Sequence, residues 1–275
     1  MSALIERPVF IVSAPRACST LLFETLVQAP GLWSIGDESH RLIESHPKLS
    51  PGRGFTDSNR LTADLLDPRL AESLRAAFLR QLRDRDGVPA IGSRETRFRL
   101  LEKTPKNALR IPFLHGLFPD ARFVFLHREA RENIGSIIDA WGSGRFVTYR
   151  RIVTAHGPWS LLLPPGWRDY LQRPLAEIAA FQWASANRLV MQDLAALPAE
   201  RWCTVSAREL REDAPRTVRR LCAFMEVAVD ARFADYLARP LPPSRYTLSS
   251  PDVEKWQRHA PGIEAVWPRI APVVE

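Results

Sequence analysis

The residues best suited to chemistry stand near the N-terminus, in Pro15-Arg16-Ala17-Cys18-Ser19-Thr20-Leu21. Arg16 offers a guanidinium fork, and Ser19 and Thr20 offer hydroxyl donors. Small side chains at Ala17 and Cys18 let a backbone loop approach a ligand closely. A helix beginning near Ser19 adds unpaired N–H groups and the positive end of its dipole. Together these suit a phosphate or a sulfate-like group. The plainer reading is that Ser19 only caps the helix and Arg16 is solvated. The stretch is no Walker A loop, because G-x-x-x-x-G-K-[ST] is missing, and it is no dinucleotide fingerprint.

Two further stretches could serve the same pocket. In FVFLHREARENIGSII, Arg128 leaves an apolar run and Ser136 follows eight residues later. The pair could meet a second phosphate if the connecting loop folds back. Otherwise Ser136 is a small residue at a helix contact. In LEKTPKN, Lys103 precedes Thr104-Pro105 and could neutralise charge at the pocket, or be an ordinary surface lysine.

These residues need elements to hold them. Residues 9–13 are β-prone, and 19–28 carry Leu21, Leu22, Thr25 and Leu26 along one helical side. Pro30-Gly31 stops that helix. Residues 68–83 form a second amphipathic helix, and Leu100-Leu101 ends a short strand before a helix over 107–117. The clearest buried strand is 121–127, followed by a helix over 130–140. Later come a helix over 174–194, a strand over 201–206 and a helix over 215–225. Strand, tight loop and helix recur, which predicts an α/β fold with a mostly parallel sheet flanked by helices. The tail from Leu241 reads as loop-rich, with a short helix over 251–259. The stretch 47–59, rich in Pro, Gly and Ser, reads as mobile, and 142–174 reads as an irregular insert or lid. No linker divides the chain, so residues 1–275 are expected to form one domain.

Composition narrows the class. With 275 residues and 45% apolar content the chain can bury a substantial core. A formal charge of +7 favours an anionic partner without choosing among nucleic acid, a membrane and a small phosphate compound. Cys18, Cys203 and Cys222 form no CxxC pair and no metal spacing, which fits a reducing, cytoplasmic setting. The first residues lack the basic start and apolar core of a signal peptide. No apolar run reaches the length of about 18 that a membrane span needs. Internal repeats are absent.

The three stretches, in this order, resemble the sulfotransferases that use 3′-phosphoadenosine 5′-phosphosulfate (PAPS), in the branch whose first motif is Pro-Arg-Ser-Gly-Thr-Thr-Leu. EKTPKN followed by FPDARFVFLHR is similar to the bacterial members. The resemblance implies the P-loop-NTPase-like sulfotransferase fold. It implies a 5′-phosphosulfate site at Arg16, Ala17, Cys18, Ser19, Thr20 and Leu21. Arg128 and Ser136 match the 3′-phosphate pair, and Lys103 matches a lysine near the sulfuryl group. Cys18 replaces the glycine of the motif, at a place where positive φ is costly for a side chain. Ser249, Ser250 and Lys255 fall where tail residues of relatives close over the 3′-phosphate. Ala207-Arg208 stands where relatives often have Tyr-Glu, so an aromatic adenine contact is missing there.

The implied reaction moves a sulfuryl group to a hydroxyl or, second, an amine of a small-molecule acceptor. The product is 3′-phosphoadenosine 5′-phosphate (PAP), and no metal is required. A hydroxyl acceptor gains from a base. GDESH resembles the Gly-Glu-Glu-Thr segment of tyrosylprotein sulfotransferases, and Glu38 aligns with their catalytic Glu. Glu38 could equally be a loop carboxylate paired with an arginine. His40 offers an imidazole, and Glu102 is a third candidate. His115, His127 and His156 are less suited, His127 as a packed residue at a strand end. Trp141, Trp159 and Trp167 either line an apolar or aromatic acceptor pocket or pack in the core. Two rival classes remain: a metal-dependent nucleotide kinase-like or phosphatase-like enzyme, and a non-catalytic binder of RNA or an anionic surface. The first lacks acidic metal motifs. The second lacks a concentrated basic patch, because the arginines are scattered.

Overall fold

The structure, a computed structural model, describes residues 4–53, 56–248 and 253–274. Its first half contains β1 (Leu4–Ile5), β2 (Val9–Val12), α1 (Ser19–Leu26), β3 (Leu32–Trp33), α2 (His40–Glu44) and α3 (Pro68–Gln81). Next come β4 (Arg97–Lys103), α4 (Ile111–Leu117), β5 (Arg122–His127) and α5 (Ala130–Gly142). A hairpin of β6 (Val147–Thr154) and β7 (Gly157–Ser160) precedes α6 (Leu175–Ala195) and β8 (Trp202–Ser206). The chain continues through α7 (Ala207–Glu212), α8 (Ala214–Met225), α9 (Ala231–Leu237) and α10 (Ala260–Val274).

The main sheet is parallel throughout and runs β1-β4-β2-β5-β8, with β3 also on β4. This is the α/β arrangement that the recurring strand-loop-helix pattern predicts. β2 reads Val-Phe-Ile-Val because a central parallel strand is covered on both faces. Phe10 and Val12 pack with Phe123 and Phe125 on one face, beneath α4, α5, α6 and α10. Val9 and Ile11 pack with Val124 and Leu126 on the other, beneath α1, α8 and α9. From β2 the chain crosses to β4 on one side, and from β4 it crosses back past β2 to β5. The C-terminal end of β2 is therefore a topological switch point, where open α/β sheets bind ligands.

Three expectations need correction. The helix over 107–117 is broken into a 3-10 turn, Pro105–Leu109, and α4. Pro112 has no N–H to donate back to residue 108, so the helix restarts and Arg110 turns inward. The stretch 142–174 is not irregular throughout, since it holds the hairpin. Its β-prone run VTYRRIVT outweighs the nearby prolines. Asn59, at the end of the stretch 47–59, donates its N–H to Leu163 O (2.7 Å) and accepts from Leu163 N–H through Oδ1 (2.8 Å). The tail is loop over 241–248 as expected, but beyond the short helix expected at 251–259 it adds a further one, α10. A 3-10 turn spans Val253–His259, and α10 buries Ile263, Val266 and Ile270 at helical spacing. Ser249 and Ser250 lie outside the described residues.

Candidate active site

The loop after β2 turns sharply twice. Arg16 (φ 66°) and Cys18 (φ 72°) both adopt the left-handed conformation. Cys18 is also the N-cap of α1, and it gives no side-chain cap. By contrast, Asp67, Asp213 and Asp230 cap α3, α8 and α9 with their carboxylates. The first amides of α1 are thus left to the loop and to whatever anion it takes. Left-handed φ on a side-chain-bearing residue costs about 1–2 kcal/mol. Cys18→Gly is expected to keep the loop and raise the melting temperature, by relief of up to about 1 kcal/mol after glycine's larger unfolded-state entropy. Thermal denaturation checks this, and a lower melting temperature would mean that the thiol makes packing contacts worth more than the strain.

α5 and its entry hold this loop from the β5 side. Asn133 Nδ2 donates to Pro15 O (2.7 Å), and Arg128 Nη1 donates to Arg16 O (3.1 Å). Arg128 is oriented by Glu132, with Nε to Oε2 at 3.0 Å. Two turns along α5, Ser136 is half-buried beside Gly135. A Cβ on Gly135 would lie 2.9 Å from Trp256 Cβ, so the Val253–His259 turn rests directly on α5 at this level. That turn carries Lys255, and His259 Nε2 fastens it to Asp139 Oδ1 (2.8 Å).

Arg16 is surrounded by cover. Nη1 donates to Tyr246 O (3.1 Å), the guanidinium stands 4.7 Å from the Phe146 ring centre, and Nε is buried without a partner. Ser13 Oγ is likewise buried and unpartnered. Burial lowers the pKa of Arg16, and repulsion from Arg128 and Arg145 adds to it. An anion placed here would relieve that strain. Phe146 and Tyr246 meet edge-on at 6.2 Å. Neither was a candidate from sequence, because a lone aromatic in a loop carries no periodic signal.

Lys103 ends β4 and is almost fully buried. Its Nζ lies 2.7 Å from Glu38 Oε1 and 5.5 Å from the Tyr246 ring centre. His40 Nδ1 stands 3.4 Å from Glu38 Oε2, at ion-pair distance but without hydrogen-bond alignment. Burial opposes charge on Glu38, yet His40 and the Lys103 ammonium outweigh it and hold the pKa at about 2. The structure therefore brings three sequence candidates, Glu38, His40 and Lys103, into one cluster.

Glu102 is not placed to act as a base. It is buried, and its oxygens accept from Ser39 N (3.2 Å), Thr104 Oγ1 and Asn107 Nδ2 (2.6 Å). Burial raises its pKa. Its work is positional: with Thr104 Oγ1, which accepts from Ser39 N at 2.8 Å, it ties the Glu38 loop to the end of β4. The tryptophans settle as core. Trp141 and Trp167 each meet Trp159 edge-on, at 5.5 and 5.9 Å, and all three indole N–H groups are satisfied internally. Buried against one another, they offer no lining to an apolar or aromatic acceptor. His127 is exposed at the end of β5 rather than packed. Among the described residues, no three His, Cys, Asp or Glu side chains are grouped to share a metal ion. Nor, among them, is any helix long and apolar enough to cross a membrane.

A profile of the sulfotransferase family matches residues 8–231. No curated protein matches the chain. Solved structures with the same fold include the sulfotransferase domain from the curacin biosynthetic pathway. It is 17% identical, with TM-score 0.52 over 96% of this chain and 98% of that one. Sulfotransferase STF9 from Mycobacterium avium is 16% identical, with TM-score 0.56 over 97% and 76%. The sulfotransferase domain from the Synechococcus PCC 7002 olefin synthase is 20% identical, with TM-score 0.51 over 93% and 88%. At such identities the likeness is one of fold.

Proposed function

The chain belongs to the sulfotransferase family, and from that premise we propose that it transfers a sulfuryl group from PAPS to a hydroxyl, or second an amine, of a small-molecule acceptor. The observation that carries this reading is the gathering of three buried or half-buried cations at the ends of β2, β4 and β5. Of these, Arg128 and Lys103 are paired with Glu132 and Glu38, and Arg16 has no carboxylate partner among the described residues. Arg16 has a buried unpartnered Nε, Arg128 is bonded to the loop of Arg16, and Lys103 is buried beside Glu38. That gathering fits a donor with two anionic ends. The loop Arg16, Ala17, Cys18, Ser19, Thr20 and Leu21 would hold the 5′-phosphosulfate. Arg128 and Ser136, with Lys255 on the tail turn beside them, would hold the 3′-phosphate.

The donor supplies an already activated sulfate with a phosphate as leaving group. What remains for the protein is alignment and charge. Arg16 and the first amides of α1 fix the phosphosulfate. Lys103 Nζ neutralises the sulfuryl oxygens during transfer, and Arg16 faces the charge growing on the departing oxygen. Glu38 accepts the acceptor's proton at a carboxylate oxygen, and it becomes a stronger base as Lys103 turns from it toward the donor. His40, beside the other oxygen of Glu38, is the alternative base. Phe146 and Tyr246 exclude water above the two cations. We read 1–275 as one such domain, with 142–174 as its cover, which the position of Phe146 supports. Kinship with bacterial members and, distantly, with tyrosylprotein sulfotransferases rests on the Pro15–Leu21 and Gly36–His40 motifs. Three free cysteines fit a reducing cytoplasm.

Calorimetric binding of PAP without magnesium, to wild type and to Arg128→Ala, tests the donor half. The expected result is micromolar or tighter binding that the substitution weakens about tenfold or more. Folded wild-type protein that does not bind PAP would overturn the reading.

A further inference from the structure

One turn beyond Lys103, a second lysine–glutamate pair repeats the first. Lys106 follows Lys103 by three residues, and Glu44 follows Glu38 by six. Lys106 Nζ lies 2.8 Å from both oxygens of Glu44. Each lysine is also covered by a tyrosine: Tyr149 stands 5.0 Å from Lys106 as Tyr246 stands 5.5 Å from Lys103. The second pair differs in one respect, an extra cation. Arg110 is fully buried, with Nη2 on Glu44 and Nε donating to Asn59 O (3.2 Å), while Nη1 has no partner. Asp193 cannot compensate it, because both its oxygens are taken by Arg60. One carboxylate thus faces two buried cations. Burial, reinforced by Arg110, lowers the Lys106 pKa to about 8 despite Glu44 and the more distant Glu38. An interior surplus of one positive charge is costly unless an anion completes it.

Its position relative to the donor loop bears on which molecule would supply that anion. The donor loop follows β2 and Arg128 follows β5, whereas Lys103 ends β4 and Lys106 comes just after it, on the far side of β2 from β5. A donor lying from Arg128 to Arg16 presents its sulfuryl group toward Lys103. An acceptor attacking in line, opposite the leaving phosphate, then stands on the side of Glu38 and Lys106. We propose that Lys106, Arg110 and Tyr149 form an acceptor subsite for a carboxylate, so that the preferred acceptors are hydroxy acids rather than neutral alcohols. The single surplus charge matches a monoanion. This assignment rests on the sulfotransferase reading, and Tyr149, half-buried on β6, makes the hairpin its cover.

The test uses protein saturated with PAP, so that the donor phosphate sites are filled. A panel of aromatic and aliphatic hydroxy acids, 3-(4-hydroxyphenyl)propanoate among them, is titrated calorimetrically beside the corresponding methyl esters. Acids are expected to bind about tenfold or more tightly than esters, and Lys106→Met is expected to abolish the preference. Equal binding of acids and esters, no saturable binding by any acid, or a preference that survives Lys106→Met overturns the subsite. The comparison on wild type stands even if the variant does not fold. Saturable PAP binding without an acid preference sinks only the subsite, whereas absent PAP binding sinks the reading beneath it.

Discussion

Lys103→Met should lower turnover about 100- to 1,000-fold while changing PAP affinity by no more than about threefold. The magnitude is that of removing one preorganised charge from a water-poor site where negative charge develops. Methionine keeps most of the length and apolar stem, so the loss isolates the ammonium. PAP lacks the sulfuryl group, hence a residue that serves that group should be nearly silent in PAP binding. The measurement is turnover at saturating donor beside calorimetry with PAP. If both fall together, Lys103 anchors the nucleotide instead. If turnover survives, the lysine is only the ion-pair partner of Glu38. A secondary effect has a defined sign. Lys103 helps hold Glu38 at about pKa 2, so its removal leaves a buried carboxylate whose pKa rises, and the acid limb of the rate profile moves upward.

Glu38→Gln should lower turnover about 100- to 10,000-fold, the range for removing a positioned base. Its pH signature separates it from His40. With Glu38 as base, kcat/KM of wild type holds its plateau to below pH 5, because the carboxylate stays ionised until the pH nears about 2. An imidazole base would cut activity off near neutrality. Stability follows the same group. Its folded pKa is depressed from 4.5, so its contribution is fully present above about pH 5 and lost as pH falls toward 2. The glutamine variant should lose that part of its acid sensitivity. A neutral-pH limb, or a variant within about threefold of wild type, would transfer the base role away from Glu38.

What the sequence made legible was local and patterned. β2, β5 and α5 could be read because a buried parallel strand is a continuous apolar run and a packed helix repeats near 3.6 residues. The loop at Arg16 could be read because proline, arginine and two hydroxyl residues sit together before a helix. What escaped depends on distance. Lys106, Glu44 and Arg110 look like surface charges one by one, and only the restart at Pro112 and the closure of α2 against β4 bury them together. Phe146 and Tyr246 are 100 residues apart and meet only over Arg16. α10 was hidden by Pro261, Pro268 and Pro272, of which the first is tolerated in an opening turn. Trp141, Trp159 and Trp167 mislead at the level of sequence: large rings in and beside a proline-rich insert suggest a pocket, yet each of the three buries its ring and satisfies its N–H.

The pairing of β2 carries a consequence for how the molecule forms. Three of its four residues find neighbours about 90 residues away on β4, and all four find neighbours about 110 away on β5. Contacts of such separation incur loop-closure entropy long before they return any stabilisation. The stretch that begins the site is therefore early in the chain but late in folding. Until β4 and β5 arrive on either side, β2 is an apolar run with two unpaired edges, the kind of segment through which partly folded chains associate.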